Sequence, residues 1–434
     1  MPEKAASTLP GGRCWLSAVF LIALSLRVAA VVWVDLGIGQ LHDPNEQEFG
    51  YLAERLVRGD GYVRLSYSEA TGYGFGGGRY LPSAYMPPAY PVLVAACLQL
   101  VGPGKAFVVA LQLIHCFLGA CLSLLIYAIG WKTFSATTGM LAAFCLAFYP
   151  VFLYLPSQFS AASLYIPLFY CVVLFSISSD AWKSGKMAGL GLLTGLAALA
   201  RANLVIYVAL LPLSWAIGRR NALARAVVIY SAAALLALSP WLVRNYLRFG
   251  APVLTTSFGQ NLWVGHNDRA TGSALDVNGK RFLAPSADAA NSLRVPPTDA
   301  AEAILDDRYL SMALDSIRAN PVRSVVWLPL KKLWLFVSWD TTSALSSSLL
   351  YRVPWLLILF LGIAGMVNTR HRIRDLSLLY LVIAATAVEC MVFFVLPRYR
   401  LIIEPVVILF AAHAAVTWTQ KLRVRVLQRM SATP

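Results

Sequence analysis

Of the 434 residues, 58% are hydrophobic and 13% are charged, and this charged share is about half that of an ordinary soluble domain. The composition excludes a soluble enzyme and makes the lipid bilayer the expected surroundings of most of the chain. The net charge of +15 does not indicate a nucleic-acid partner, because the basic residues lie in short clusters between apolar runs and form no single stripe.

Ten apolar segments predict ten membrane-spanning helices and therefore an all-α polytopic membrane protein. Each run is long enough, or nearly so, to cross the hydrocarbon core, and none shows the alternation of a β-barrel strand. The segments are 14–36, 106–130, 138–155, 160–178, 187–201, 203–218, 223–240, 349–367, 375–396 and 399–418. The first is longer than a signal-peptide core and follows Lys4 and Arg13, so we expect an uncleaved anchor after a cytoplasmic N-terminus at 1–13.

Two further apolar segments are predicted to lie in the membrane interface without crossing it. Residues 88–101 are too short and begin among prolines, and residues 321–339 carry Lys331 and Lys332 at their centre, among tryptophans. With both set aside, every basic cluster falls on one side of the membrane, including the tail at 419–434. The basic side is expected to be cytoplasmic, so both termini are predicted there.

This threading leaves two long external loops, 37–105 and 241–348, which hold 15 of the 21 acidic residues. Helices 2 to 7 then lie within 106–240, and helices 8 to 10 lie within 349–418. Because the acidic side chains are concentrated outside, we expect the chemistry of the protein on the non-cytoplasmic face.

The first external loop opens with an acidic cluster that could supply a general base. Asp43 as an N-cap, Pro44 at the first helical position and Glu46 also fit an ordinary helix start. Glu48 lies one turn further on and is not needed for capping, so it is the better catalytic candidate. His42 and Glu46 are spaced to share a metal, but nothing nearby completes a ligand set. We therefore predict no metal site, although a divalent cation stays open as a cofactor.

Arginines stand where apolar runs meet the external side. Arg244 and Arg248 follow the seventh predicted span, and Arg398 and Arg400 precede the last one. A guanidinium can hold a phosphate through two hydrogen bonds, or it can simply contact lipid headgroups. The sequence leaves both interpretations open.

Three ionisable residues lie inside predicted spans, where an unpaired charge is costly: Arg27, Glu389 and Glu404. Arg400 is spaced four residues before Glu404, which fits a structural ion pair on one helix face. Arg27 and Glu389 could form a second pair between helices.

Five motifs then follow one another along most of the chain. They are the acidic loop ending in LAERLVRGDGY, YMPPAYPVLVA, GLLTGLAALARAN, SPWLVRNYLRFG with NLWVGHNDRATG, and LPRYRLIIEP. In this order they resemble the bacterial relatives of dolichyl-phosphate-mannose protein mannosyltransferases. That resemblance implies the GT-C fold, here a bundle of about ten transmembrane helices with two long external loops that carry interfacial helices. It also implies a multi-pass protein of the bacterial inner (plasma) membrane.

The resemblance implies a glycosyltransferase as well. Members of that family take a sugar, a hexose or a pentose, from a polyprenyl phosphate and pass it to a hydroxyl group on the external face, usually with inversion. The acceptor would be an envelope glycolipid, a glycan or a protein, and membrane lipids would be the other partners. The residues that the resemblance implies are Asp43, Glu46 or Glu48 as the base, Arg244, Arg398 and Arg400 for the donor phosphate, and Asn245 and Asn267 for the substrate.

The sequence departs from that family at one place. Many relatives have a second acidic residue at the external start of the fourth span, where this chain has Ser157, Gln158 and Phe159. Alignment on LAERL also favours Asn45 or Glu48 over Asp43. Two alternatives therefore stay open: a transporter or flippase for lipid-linked sugars, and a non-catalytic subunit of an envelope-assembly complex.

Overall fold

A computed structural model describes residues 12–38, 48–65, 80–178, 184–217, 223–274, 298–338 and 348–431, and these segments form a helical bundle. In chain order the helices are α1 (Gly12–Ile38), α2 (Glu48–Val57), α3 (Ala89–Val101), α4 (Lys105–Thr133), α5 (Ala136–Phe148), α6 (Pro150–Tyr154), α7 (Ala162–Ser176), α8 (Ser184–Ala200), α9 (Tyr207–Ile217), α10 (Leu223–Phe249), α11 (Phe258–His266), α12 (Ala301–Ala319), α13 (Leu328–Val337), α14 (Leu349–Asn368), α15 (Ser377–Val392) and α16 (Glu404–Ser431). Single turns lie at Leu155–Ser157, Ala202–Ile206, Arg323–Trp327, Arg370–Arg372 and Pro397–Ile402.

Every predicted span overlies helix in the structure, so the expected helical fold is confirmed. Four helices are long and apolar enough to cross a membrane, namely α1, α4, α10 and α14, and the bent pair of α5 with Pro150–Ser157 gives a fifth candidate. Five shorter apolar helical segments also occur among the described residues, and the count of ten crossings stays a prediction. The described residues also include a small antiparallel pair of strands, β1 (Val63–Leu65) and β2 (Tyr80–Pro82).

Helix α10 runs further than the sequence indicated, because it continues through Pro240 to Phe249. A proline has no N–H to donate, so the carbonyl of Leu236, four residues earlier, loses its usual helical partner. The hydroxyl of Ser239 donates to that carbonyl at 2.9 Å and satisfies it. The predicted external segment after residue 240 therefore begins as a rigid helical extension.

Helix α15 instead ends earlier than predicted, at Val392. The backbone N–H of Val395 donates to the carbonyl of Gly272 at 3.0 Å, and Ser273 and Val395 form a β-bridge. The end of the 375–396 segment is thus paired with the second long loop rather than with its own helix.

The centre of the bundle is the first half of α16. Its residues from Val406 to Phe410 are all buried, as expected for a helix that is apolar on every side and surrounded by others. Glycines on α14 allow the close approach: a Cβ at Gly365 would lie 2.0 Å from the carbonyl oxygen of Phe410. Small residues at such contacts are typical of helix packing in membranes.

The two long predicted loops meet at one end of this bundle. The carboxylate of Glu302 on α12 accepts hydrogen bonds from the Ser83 hydroxyl at 3.0 Å and from the Ala84 N–H at 2.7 Å. The Thr256 N–H donates to the Ala84 carbonyl at 3.0 Å. We call α2, the β1–β2 pair, α11 and α12 together the cap. A cap made from both loops is the arrangement that the predicted threading requires.

Candidate functional site

The predicted catalytic acids lie at the edge of what the structure describes. Asp43 and Glu46 fall outside the described residues, and so does the side chain of Glu48, although its backbone begins α2. The next residue, Phe49, packs edge-on against Tyr90 with the ring centroids 5.0 Å apart, in a cluster that also includes Phe159. The start of α2 therefore lies beside the start of α7.

Arg244 is engaged by the protein itself. Its guanidinium donates to the carbonyl oxygens of Tyr62 and Ser83, at 2.8 and 2.7 Å, and to the side-chain oxygen of Asn245 at 2.8 Å. The Trp241 ring lies 5.0 Å from the guanidinium carbon. These contacts join the extension of α10 to the first loop. The Arg244 nitrogens that were predicted to bind a phosphate donate to backbone carbonyls instead.

The two predicted substrate-binding asparagines also have partners within the protein. Asn245 is fully buried and donates to the carbonyl of Val253 at 2.7 Å. Asn267 follows α11, donates to the carbonyl of Trp263 at 3.0 Å and accepts from the N–H of Arg269 at 2.9 Å. Both side chains hold turns of the second loop.

Arg400 forms the ion pair with Glu404 that the sequence spacing indicated, with Nε and Oε1 3.7 Å apart. Both side chains are buried. A terminal nitrogen of Arg400 also donates to the carbonyls of Phe336 and Ser338, and the Trp355 ring lies 4.4 Å from its guanidinium carbon. The pair joins the start of α16 to the end of α13.

Arg398 differs from the other two predicted phosphate ligands because it is exposed. Within the described part of the chain its guanidinium makes no hydrogen bond or ion pair, and its recorded contact is with the Tyr399 ring, 5.8 Å from the guanidinium carbon. Of the three arginines assigned to a phosphate, this is the one whose hydrogen-bond donors are not engaged by any described segment of the chain.

Beside Arg398 lies a polar cluster that joins the ends of three helices. Arg201, at the end of α8, donates to the Tyr165 hydroxyl at 2.8 Å and to Oε1 of Glu389 on α15 at 3.1 Å. The side-chain amide of Asn203 donates to the same carboxylate oxygen. The rings of Tyr165 and Tyr399 lie 4.9 and 5.0 Å from the Arg201 guanidinium carbon. We call these five residues the Arg201 cluster.

The Arg201 cluster corrects one sequence interpretation, since pairing of Arg27 with Glu389 is wrong. Arg27 is fully buried and donates to the carbonyl of Ala23 on its own helix. Its Nε and its second terminal nitrogen have no hydrogen-bond partner in the described segments. Arg201 and Asn203 have no predicted role from the sequence. They stand as two polar side chains in a break between apolar runs, and that pattern does not reveal that Arg201 bonds to a residue 188 positions away.

At the position where relatives of the resembled family have a second acid, Gln158 donates from its side chain to the Ser157 hydroxyl at 3.2 Å. It follows the Leu155–Ser157 turn, whose Pro156 carbonyl lies 3.4 Å from a ring nitrogen of His115. The chain offers an amide there, which can orient a hydroxyl but cannot take up a proton at neutral pH.

Two buried ionisable groups hold the cap. Burial raises the pKa of the Glu302 carboxyl above its usual value, while Arg64, 3.8 Å away, and its hydrogen bonds oppose that shift. Lys332 on α13 is fully buried and lies 3.2 Å from both a ring nitrogen of His266 and the carbonyl of Met391. Burial lowers the pKa of Lys332 to about 7, with nearby Arg323 contributing. Burial and Lys332 lower the pKa of His266 to about 4.

Among the residues that the structure describes, no three His, Cys, Asp or Glu side chains are grouped as metal ligands. A cavity of about 220 Å³ lies elsewhere, among Trp131, Lys132 and Lys186, at the other end of the bundle from the Arg201 cluster.

A helical bundle capped at one end by two long loops is the GT-C fold of membrane glycosyltransferases. The structure of the oligosaccharyltransferase of Archaeoglobus fulgidus with a tethered acceptor peptide matches 96% of this chain with a TM-score of 0.58 and 13% identity. The structure of the same archaeal enzyme, AglB, with an inhibitory peptide and a dolichol-phosphate matches 98% with a TM-score of 0.58 and 12% identity. These likenesses confirm the fold.

The chain spans about half of each AglB chain, 51% and 52% respectively. ArnT from Cupriavidus metallidurans bound to undecaprenyl phosphate aligns over 93% of this chain and 78% of its own, with 15% identity, but its TM-score of 0.37 adds nothing to the fold assignment. No protein-family model matches the sequence, and no curated protein matches it.

Proposed function

We propose that this protein is a membrane glycosyltransferase that moves a sugar from a polyprenyl-phosphate donor to a hydroxyl of an envelope glycolipid, glycan or protein on the external face. The observation that carries the proposal is that Arg398 and the Arg201 cluster meet at Tyr399, whose ring packs against the apolar cluster of α11 and α12 in the cap. The GT-C fold and the dolichol-phosphate bound to the archaeal AglB agree with a lipid-linked donor.

The proposed reaction needs a base on one side of the sugar and positive charge on the other. A carboxylate of the acidic segment, Glu48 first and Asp43 or Glu46 next, takes the proton of the acceptor hydroxyl. The acceptor oxygen bonds to the anomeric carbon as the bond from that carbon to the phosphate oxygen breaks. The polyprenyl phosphate leaves with the bonding electrons, and Arg398 stabilises its negative charge. A direct displacement of this kind inverts the anomeric carbon.

Arg244 and Arg400 take structural parts in this proposal. Their guanidiniums already donate to backbone carbonyls, and moving them onto a phosphate would leave buried carbonyls without partners. Asn245 and Asn267 hold turns for the same reason. A divalent cation held by the acidic segment would neutralise donor phosphate, and the archaeal relative has been crystallised with zinc and sulfate. No step of the proposed sugar transfer uses such a cation.

The test measures sugar transfer by the purified full chain in lipid nanodiscs. The probes are polyprenyl phosphates carrying a labelled hexose or pentose, and the acceptors are an envelope extract. A Glu48→Gln, Asp43→Asn double variant should lose transfer. Arg398→Gln should raise the KM for the donor about tenfold or more, since a hydrogen bond to a charged group is lost.

Arg248→Gln is the matched control for Arg398→Gln. Arg248 is also exposed at this end of the bundle, and its ion pair in the described segments is with Asp299, which is exposed as well. It should leave the KM unchanged. Transfer that survives in the double variant would remove the assignment of the base. Movement of labelled lipid across a vesicle membrane with no new glycosidic bond would establish a flippase instead. Transfer only after a partner protein co-purifies would establish the assembly-subunit alternative.

A further inference from the structure

The Arg201 cluster has hydrogen-bonding capacity that the protein does not use. Oε1 of Glu389 accepts from both Arg201 and Asn203, whereas Oε2 accepts no hydrogen bond from any residue in the described segments. The side-chain oxygen of Asn203 is equally unengaged by those segments. Asn203 is exposed and Glu389 is 24% exposed, so a molecule arriving from lipid or solvent can reach both acceptors.

The acceptors are held in fixed positions. The Arg201 guanidinium is bonded on one side to the Tyr165 hydroxyl, is bonded on the other to Glu389, and lies against the rings of Tyr165 and Tyr399. A guanidinium with several such contacts loses little further freedom when a ligand binds. Glu389 is therefore preorganised by Arg201, and binding energy is not spent on ordering it.

Paired acceptors beside tyrosine rings fit the chemistry of a sugar. A sugar ring presents several neighbouring hydroxyl groups, each of which can donate to a carboxylate or amide oxygen. Its C–H faces pack against aromatic rings, and sites of this kind combine apolar walls with a few fixed polar groups. A bare phosphate would instead be repelled by the carboxylate of Glu389.

The position of the cluster also fits, because the sugar and the phosphate of a lipid-linked donor are directly bonded to each other. Their binding sites must therefore be neighbours. Tyr399 joins the two: its ring centroid lies 5.0 Å from the guanidinium carbon of Arg201 and 5.8 Å from that of Arg398. Arg398 and the residue that holds Glu389 therefore contact the same ring.

We infer that Glu389 and Asn203 form the subsite for the glycosyl group of the lipid-linked donor, with Arg201 as the residue that positions Glu389. The inference rests on the proposed function and deepens it by assigning the sugar and the phosphate of the donor to separate residues. Glu389 and Asn203 accept hydrogen bonds from sugar hydroxyls, and Arg398 holds the phosphate.

The experiment compares two kinds of lipid on the full chain in nanodiscs. One is undecaprenyl phosphate, and the other is undecaprenyl phosphate carrying a hexose, an amino sugar or a pentose. Wild-type protein should bind at least one sugar-bearing lipid about tenfold more tightly than the bare phosphate. Asn203→Ala and Glu389→Gln should each abolish that difference and leave the Kd for the bare phosphate unchanged. Asn261→Ala on α11 is the control for the change of residue type outside the cluster.

The outcomes separate this inference from the proposed function. If no polyprenyl phosphate binds, the proposed function itself fails. If the bare lipid binds and no sugar-bearing lipid binds more tightly, or if the advantage survives in Asn203→Ala, the inference is overturned and the lipid-phosphate site stands. Because Asn203 is exposed, its removal should not impair folding, and the result does not depend on the stability of the Glu389 variant.

Arg201→Gln tests the positioning role. It should remove the preference for the sugar-bearing lipid while the Kd for undecaprenyl phosphate stays that of the wild type. A purely structural arginine would give the opposite result, with both lipids weakened in parallel and the preference intact. Arg201→Lys, which keeps the charge but not the two-sided contact, should restore the preference only in part.

Discussion

The carboxylate of Glu302 is a buried polar connection between the two long predicted loops, and its removal should open the cap. In Glu302→Ala the Ala84 N–H and the Ser83 hydroxyl lose their acceptor, and Arg64 loses its ionic partner. Removing one side of a buried, hydrogen-bonded charge interaction costs about 3–5 kcal/mol. Because roughly 1.4 kcal/mol corresponds to a tenfold change in an equilibrium, the cap should open roughly a hundredfold to a few thousandfold more often.

Hydrogen–deuterium exchange at the backbone amide of Thr256 measures this opening, because that N–H donates across the two loops to the Ala84 carbonyl and keeps its acceptor in the variant. Asp299→Asn is the control, since Asp299 pairs with Arg248 but both side chains are more than half exposed, and such pairs contribute at most about 1 kcal/mol. Glu302→Gln keeps one acceptor oxygen and should fall between the two. If exchange at Thr256 in Glu302→Ala stays within about threefold of the wild type, Glu302 does not hold the loops together.

Two further predictions concern helix packing and pH. Gly191→Ala should destabilise the bundle by about 1–3 kcal/mol in thermal unfolding, because the new Cβ would lie 2.2 Å from the Tyr230 carbonyl oxygen. Gly189→Ala on the same helix meets open space and should be neutral or slightly stabilising. Equal effects of the two variants would contradict this helix packing. Docking of the second loop, read from amide exchange in α11, should weaken as pH falls from about 10 to 7 and again from about 6.5 to 4. Docking lowers the pKa of Lys332 to about 7 and the pKa of His266 to about 4. Over the first range Lys332, and over the second His266, therefore binds more protons in the undocked state than in the docked state. Lys332→Met should abolish the change above pH 7 and reduce the change below pH 6.5, because Lys332 also contributes to the lowered pKa of His266. A change above pH 7 that persists in this variant would show that another group is responsible.

The positions of the helices were predictable because bilayer thickness imposes a length on every apolar run. Ends were less predictable, since they depend on partners that the local sequence does not show. Pro240 indicated the end of a span, yet the Ser239 hydroxyl lets α10 continue. The run 375–396 stays apolar through its last residues, yet Val395 bonds to Gly272 and leaves the helix.

The same limit applied to the site. Arg400 with Glu404 was predictable because the two residues are four apart in the sequence. Arg244 has the same residue type and a similar position at the membrane surface, but its partners are carbonyls 161 and 182 residues away. The sequence made all three arginines candidates for binding a phosphate. The fold shows that Arg244 and Arg400 donate to backbone carbonyls, and this distinguishes them from Arg398.

The bond between Ser83 and Glu302 joins residues that are 219 positions apart in the chain. At synthesis rates of about 5–20 residues per second, Ser83 leaves the ribosome roughly 10–40 seconds before its partner exists. During that interval α4 to α10 must be inserted while the first loop has no second loop to dock on. The cap is therefore a late product of biogenesis, and a chain arrested before residue 302 would lack the partner of Ser83 and Ala84.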